Sequence, residues 1–231
     1  MLLTDLILLH GWAADGRIWG RQQAVFQDRV NLWAPDLPVW EADWLLQRLE
    51  AHDPGQTILV GWSLGGMLAL EVCAAGFRPR AVVTIAACAS FCRRPDYGLG
   101  VPAAVLRAMR QRLTTEPEQV IRDFHSRLLS LGERNWQETV PALLPERFNG
   151  AWLAQGLDYL RRKDLRSILS EAKAEEFVIV HGFRDRITPV SQAYVLAEQL
   201  PSARLIILPS AGHIPLVTQS QVVNDLIMEF L

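Results

Sequence analysis

The sequence predicts an α/β fold: a doubly wound, mostly parallel sheet of about six strands with a helical cap inserted between two of them. Three observations predict it. Short apolar runs recur, each bounded by turn residues, and most are followed by a helical pattern. The runs are continuously apolar rather than alternating, as expected of strands covered by helices on both faces. One long stretch between two such runs has helical periodicity only.

The apolar runs are residues 6–9, 30–34, 57–61, 81–86, 177–181 and 204–208. Between and after them lie helical candidates at 17–27, 41–52, 64–75, 190–199 and 219–230. Strand and helix in alternation predict βαβ units joined by right-handed crossovers. From Arg93 to Ser170 no strand candidate appears, and helical periodicity dominates, as at 101–113 and 118–131. A connection of that length is too long for a loop and predicts an insertion with a small core of its own. Pro95, Gly98, Gly100 and Pro102 mark its entrance. The expected organisation is a core of residues 1–92 and 171–231 with a cap over 93–170.

Composition narrows the class. Half of the 231 residues are hydrophobic, and the formal net charge is −2, which permits one sizeable buried core and argues against disorder. A nucleic-acid binder would need a clear basic excess, which is lacking. The first ten residues have no basic region, Asp5 interrupts their apolar run, and no small-residue cleavage site follows, so no signal peptide is expected. No apolar stretch approaches the roughly 18 residues that would span a bilayer, so no membrane partner is expected. Three cysteines, Cys73, Cys88 and Cys92, form neither a disulfide framework nor a metal-ligand spacing, and point to a cytoplasmic protein without a metal. Charge is unevenly shared: the insertion carries 13 Lys/Arg against 9 Asp/Glu, and the remainder 10 against 16.

The strongest chemical signal is Gly61-Trp62-Ser63-Leu64-Gly65-Gly66, where a β-branched run meets Gly-x-Ser-x-Gly and an apolar helix follows at once. A nucleophile elbow needs this context, because the turn is so sharp that serine takes strained dihedrals and flanking side chains must be absent. A serine hydroxyl is a weak nucleophile and requires a base and an orienting acid. In this arrangement they follow in the order serine, acid, histidine. Asp185 leaves the run ending at His181, and His213 leaves the run ending at Leu208, 122 residues after Ser63 and 28 after Asp185 respectively. Asp36 is the competing acid, and its place before Ser63 fits that order less well. His10, His52, His125 and His181 read as structural or surface histidines.

An oxyanion hole needs backbone N–H groups aimed at the developing charge. Leu64, after the nucleophile, is one expected donor. Trp12, in the His10-Gly11-Trp12 loop after the first run, is the other. Trp12 and Trp62 flank the site and are expected to line its pocket, whereas Trp19, Trp33, Trp136 and Trp152 read as core.

These motifs and their order resemble the α/β-hydrolase family across nearly the whole chain. Within it, His10-Gly11-Trp12, Gly61-Trp62-Ser63-Leu64-Gly65-Gly66 and the stretch after Ala86 look like the pimeloyl-[acyl-carrier protein] methyl ester carboxylesterases of biotin synthesis. The resemblance implies cleavage of a methyl ester from a pimeloyl chain held on an acyl carrier protein, with no cofactor. It places nucleophile, acid and base on Ser63, Asp185 and His213, oxyanion donors on Trp12 and Leu64, and acyl-channel residues on Trp62 and Phe124. An acidic carrier would suit the basic insertion, whose Arg107, Arg110, Arg112, Arg122 and Arg127 are candidate docking residues; the bland alternative is solvated helix faces paired with Glu116, Glu118 and Asp123. Other readings on the same scaffold are a broad small-ester carboxylesterase, an acyltransferase or lyase, and a non-catalytic binding module.

Overall fold

A computed structural model describes residues 3–145 and 149–231. Six strands form one sheet in which every neighbouring pair is parallel: β1 Asp5–Leu9, β2 Asn31–Trp33, β3 Thr57–Trp62, β4 Ala81–Ile85, β5 Glu176–Gly182 and β6 Arg204–Leu208. Their order is β2-β1-β3-β4-β5-β6. The chain steps outward from β1 to β2 and then returns past β1 to β3. That reversal opens a crevice beyond the carboxyl ends of β1 and β3, the position where open α/β sheets bind ligands.

Every residue of β3 and β4 is buried, which explains their unbroken apolar character. Before β3 come α1 Gly20–Phe26 and α2 Ala42–Leu49. After it comes α3 Leu64–Ala74, apolar on all sides and sunk against the sheet. The chain between β4 and β5 carries α4 Ala103–Arg112, α5 Pro117–His125, α6 Thr139–Ala142 and α7 Gly150–Arg162, with no strand among the described residues. The sheet is completed by α8 Ser191–Gln199, α9 Pro215–Thr218 and α10 Ser220–Met228.

Three helical expectations are shortened. The stretch 17–27 opens as a 3-10 turn, Gly16–Trp19, capped by the Asp15 side chain, before α1 begins. The stretch 118–131 ends at His125, and the chain beyond it leaves the helix to bond elsewhere, with Leu128 O accepting the amide of His213. The stretch 219–230 forms α10 over Ser220–Met228, stopping short of Phe230, and Gln219, at φ −125° and ψ 37°, separates it from α9.

Candidate active site

The sheet's carboxyl edge builds the site from sharp turns. Ser63 follows β3 with φ 53° and ψ −117°, a left-handed backbone that costs a non-glycine residue energy. Neighbouring backbone explains why glycine stands on both sides. A Cβ on Gly65 would sit 2.4 Å from Leu9 O, and one on Gly61 would sit 2.5 Å from the Gly66 Cα. The Ser63 amide donates to Ile85 O at 2.8 Å, while Ser63 O accepts the Met67 amide at 3.1 Å and opens α3.

Asp185 lies in the turn after β5. Its Oδ1 accepts the amides of Ile187 and Thr188, both at 2.8 Å, which locks the carboxylate in place. Its Oδ2 accepts from His213 Nδ1 at 2.7 Å. A carboxylate cannot donate, so Nδ1 carries the proton and Nε2 is the acceptor facing Ser63 Oγ, 3.0 Å away. The side chains of Asp185 and His213 are both fully buried. His181 packs behind the acid, donating from Nε2 to Thr188 O at 2.7 Å and lying 3.4 Å from Asp185 Oδ2. Burial holds its pKa below the ordinary value, so it stays neutral and leaves the acid's charge to His213.

Trp62 departs from expectation. Its indole is wholly buried, stands outside the wall of the cavity described below, and donates from Nε1 to His213 O at 2.7 Å. The residue before the candidate nucleophile therefore grips the main chain of the candidate base. Its ring centroid stands 5.6 Å from the imidazole.

The loop after β1 brings Trp12 alongside. A Cβ on Gly11 would lie 3.1 Å from the Ser63 Cβ, so a side chain here would push the loop and the turn a few tenths of an ångström apart. Ala13, at φ 53°, turns the loop back. Among the described residues, neither the Trp12 amide nor the Leu64 amide donates to another protein group. His10 holds the loop from beneath: Nδ1 donates to Gly11 O at 2.9 Å and Nε2 accepts the Leu37 amide at 3.0 Å. Burial lowers its pKa, in keeping with this neutral, one-donor, one-acceptor role.

Above the loop lies a cavity of about 330 Å³, bounded by Trp12, Leu106, Met109, Val120, Phe124 and Ile187 among others. Phe124 meets the Trp12 ring edge-on at 4.8 Å, and the Trp12 Nε1 donates to Leu153 O at 2.8 Å. The cavity touches the loop after β1 through Trp12 and the turn after β5 through Ile187, but Ser63 is not in its wall. Arg112, Arg127 and Arg186 stand at its rim. Arg186 had no signal in the sequence beyond its place beside the acid.

The five candidate docking arginines divide into two groups. Arg110 pairs with Asp158 at 3.0 Å, Arg112 with Glu116 at 3.1 Å and Asp123 at 3.2 Å, and Arg122 with Gln119 at 3.0 Å and Glu118 at 3.9 Å. Arg107 and Arg127 are exposed and, among the described residues, make no ion pair. Among the described residues, no group of three or more His, Cys, Asp or Glu is placed to hold a metal. The three cysteines are free and buried, and burial pushes the Cys73 thiol up to about 12.

Comparison with known proteins defines the class. The model of the alpha/beta hydrolase family matches residues 6–226, and the chain belongs to that family. More particularly, it is 29% identical over 229 residues to the pimeloyl-[acyl-carrier protein] methyl ester esterase of Nitrosomonas europaea, a match covering 93% of this chain and 90% of the relative. To the protein of the same name from Chromobacterium violaceum it is 30% identical, covering 94% and 90%. Among solved structures, an esterase from Exiguobacterium antarcticum superimposes with a TM-score of 0.86 at 18% identity, over 99% of this chain and 92% of that one. A bromoperoxidase from Bacillus anthracis gives 0.83 at 18% identity, over 98% and 91%. At such identities the structural likeness establishes the fold alone.

Proposed function

We propose that this enzyme is a serine carboxylesterase working through an acyl-enzyme, with a pimeloyl-[acyl-carrier protein] methyl ester as its physiological substrate. The observation that carries the reading is the continuous relay from Ser63 Oγ to His213 Nε2 at 3.0 Å and from His213 Nδ1 to Asp185 Oδ2 at 2.7 Å. Ser63 attacks the ester carbonyl while His213 takes its proton. The Trp12 and Leu64 amides receive the charge on the carbonyl oxygen. His213 then protonates the departing alkoxide, which leaves as an alcohol. Water, deprotonated by the same imidazole, attacks the acyl-Ser63 ester and releases the acid and the free serine. Asp185 keeps the imidazole in the tautomer that can accept, and stabilises the imidazolium. The Trp12 and Phe124 walls would house the acyl chain.

Three observations support the substrate. The curated relatives carry that name. The insertion is basic on an acidic body. Arg107 and Arg127, exposed and without an ion pair among the described residues, are available to an acidic carrier. A cytoplasmic location accords with three free cysteines. No helix among the described residues is long and apolar enough to cross a membrane.

The test has two stages. Purified protein is expected to hydrolyse p-nitrophenyl butyrate, and Ser63→Ala to lose kcat by a factor on the order of 10⁴ to 10⁶. Equal rates for the two would remove the serine mechanism. The methyl ester of a carrier-bound pimeloyl chain is then compared with free pimelate methyl ester. A clear preference in kcat/KM for the carrier-bound form is expected, and parity would replace this substrate with a broad range of small esters.

A further inference from the structure

The helical insertion grips the loop that carries His213 through a buried carboxylate. Glu133 lies in the turn after α5 and is 3% exposed. Its Oε2 accepts the Ser130 amide at 2.7 Å, the reach-back contact of a helix capping box. The same oxygen also accepts the amide of Gly212, 79 residues further along, at 2.8 Å. A cap serving only its own helix has no use for that second donor. Two more bonds reinforce it: Leu128 O accepts the His213 amide at 2.8 Å, and the Ser130 hydroxyl donates to Ser210 O at 2.8 Å. Among the described residues Glu133 Oε1 has no hydrogen-bond partner. A buried carboxyl group with one oxygen left without a partner is costly, which points to a role besides stability.

We infer that Glu133 is a positioning residue for the base, acting through the main chain of Gly212 and His213. It rests on the reading of His213 as the base of Ser63. The amides of residues 212 and 213 are held by the insertion, and the carbonyl of His213 is held by Trp62 from the elbow. The imidazole is thereby suspended between the two parts of the molecule whose relative placement sets its distance to Ser63. Seating of the insertion and alignment of the base become one event.

The experiment is phosphonylation of Ser63 by a fluorophosphonate, followed by mass spectrometry, beside steady-state hydrolysis of p-nitrophenyl butyrate, in wild type, Glu133→Ala and Glu133→Gln. Rates are taken per folded molecule, from circular dichroism. Glu133→Ala is expected to lower kcat and the labelling rate about 10- to 100-fold with KM little changed, the loss that a displacement of about 1 Å produces. Glu133→Gln keeps an acceptor oxygen for both amides and is expected to recover much of the alanine variant's loss while staying several-fold below wild type. It also serves as the readable variant should the alanine protein not fold, with a several-fold slower labelling rate than wild type then expected. Wild-type kcat and labelling rates in a folded variant, with only the melting temperature lowered, would overturn the assignment. Absence of labelling at Ser63 in the wild type would instead overturn the serine reading beneath it.

Discussion

The sheet edge and the helical insertion solve different problems with different materials. At the edge, β3 and β4 are buried throughout and α3 is buried along nearly its whole length, so the turn at Ser63 is braced on every side by main chain and apolar packing. In the insertion, α4 buries only Leu106 and α5 only Val120, and their other faces meet solvent, the cavity or partly buried neighbours. The edge tolerates almost no change of volume, as close-packed interiors do not. The insertion is an amphipathic shell whose sequence can vary in charge and cavity lining while its helices remain. Rigidity sits where bonds are proposed to break, and variability sits where a substrate would be chosen.

Gly65→Ala is the strongest way to expose that contrast. Its Cβ would press into the Leu9 and His10 carbonyls at 2.4 and 2.5 Å, which are backbone atoms that cannot step aside. A loss of about 3 kcal/mol in urea unfolding is expected, together with loss of esterase activity. A stable, active variant would show that the elbow is looser than its geometry. In the insertion, the double change Arg107→Glu and Arg127→Glu should leave folding and free-ester turnover unaltered and lower kcat/KM for a carrier-bound ester about tenfold. Added salt should erode the wild-type advantage for the carrier-bound ester in the same direction. Equal effects on both esters would remove the docking role.

The smallest expected effect is on stability against pH. Burial lowers the pKa of His10 and His181 in the sheet body and of His125 in the insertion below 6.5. Unfolded histidines therefore take up protons before the native ones do. Stability is full above pH 6.5 and declines as the pH falls below it toward the depressed native values. Melting temperatures measured from pH 8 to pH 5 should trace that decline. His181→Gln should flatten it more than His125→Gln, because His125 is only partly buried. The reverse ranking would contradict the contrast between the two regions.

Much of this molecule was legible before any fold was known, because the relevant signals are local. Continuous apolar runs reported buried parallel strands, and Gly-x-Ser-x-Gly between a strand and a helix reported a strained turn. Asp185 and His213 stood out as candidates because each follows an apolar run at the same sheet edge. Ser130 and Glu133 also carry a readable capping-box spacing. Nothing along the chain, however, could bring Glu133 to Gly212, or Trp62 to the carbonyl of His213, across 79 and 151 residues. Trp62 looked like a pocket residue on its proximity in sequence to the nucleophile and on the family resemblance, neither of which shows which way its indole turns.

The sequence by itself determined where the backbone turns sharply, which segments must be hidden from water, and which side chains can exchange a proton. These follow from steric and solvation rules acting on neighbouring residues. Only the tertiary structure decided which carbonyl an indole meets, which of the five arginines already have carboxylate partners, and where the cavity stops short of Ser63. Such outcomes depend on how distant elements settle against one another, and no local rule contains that distance.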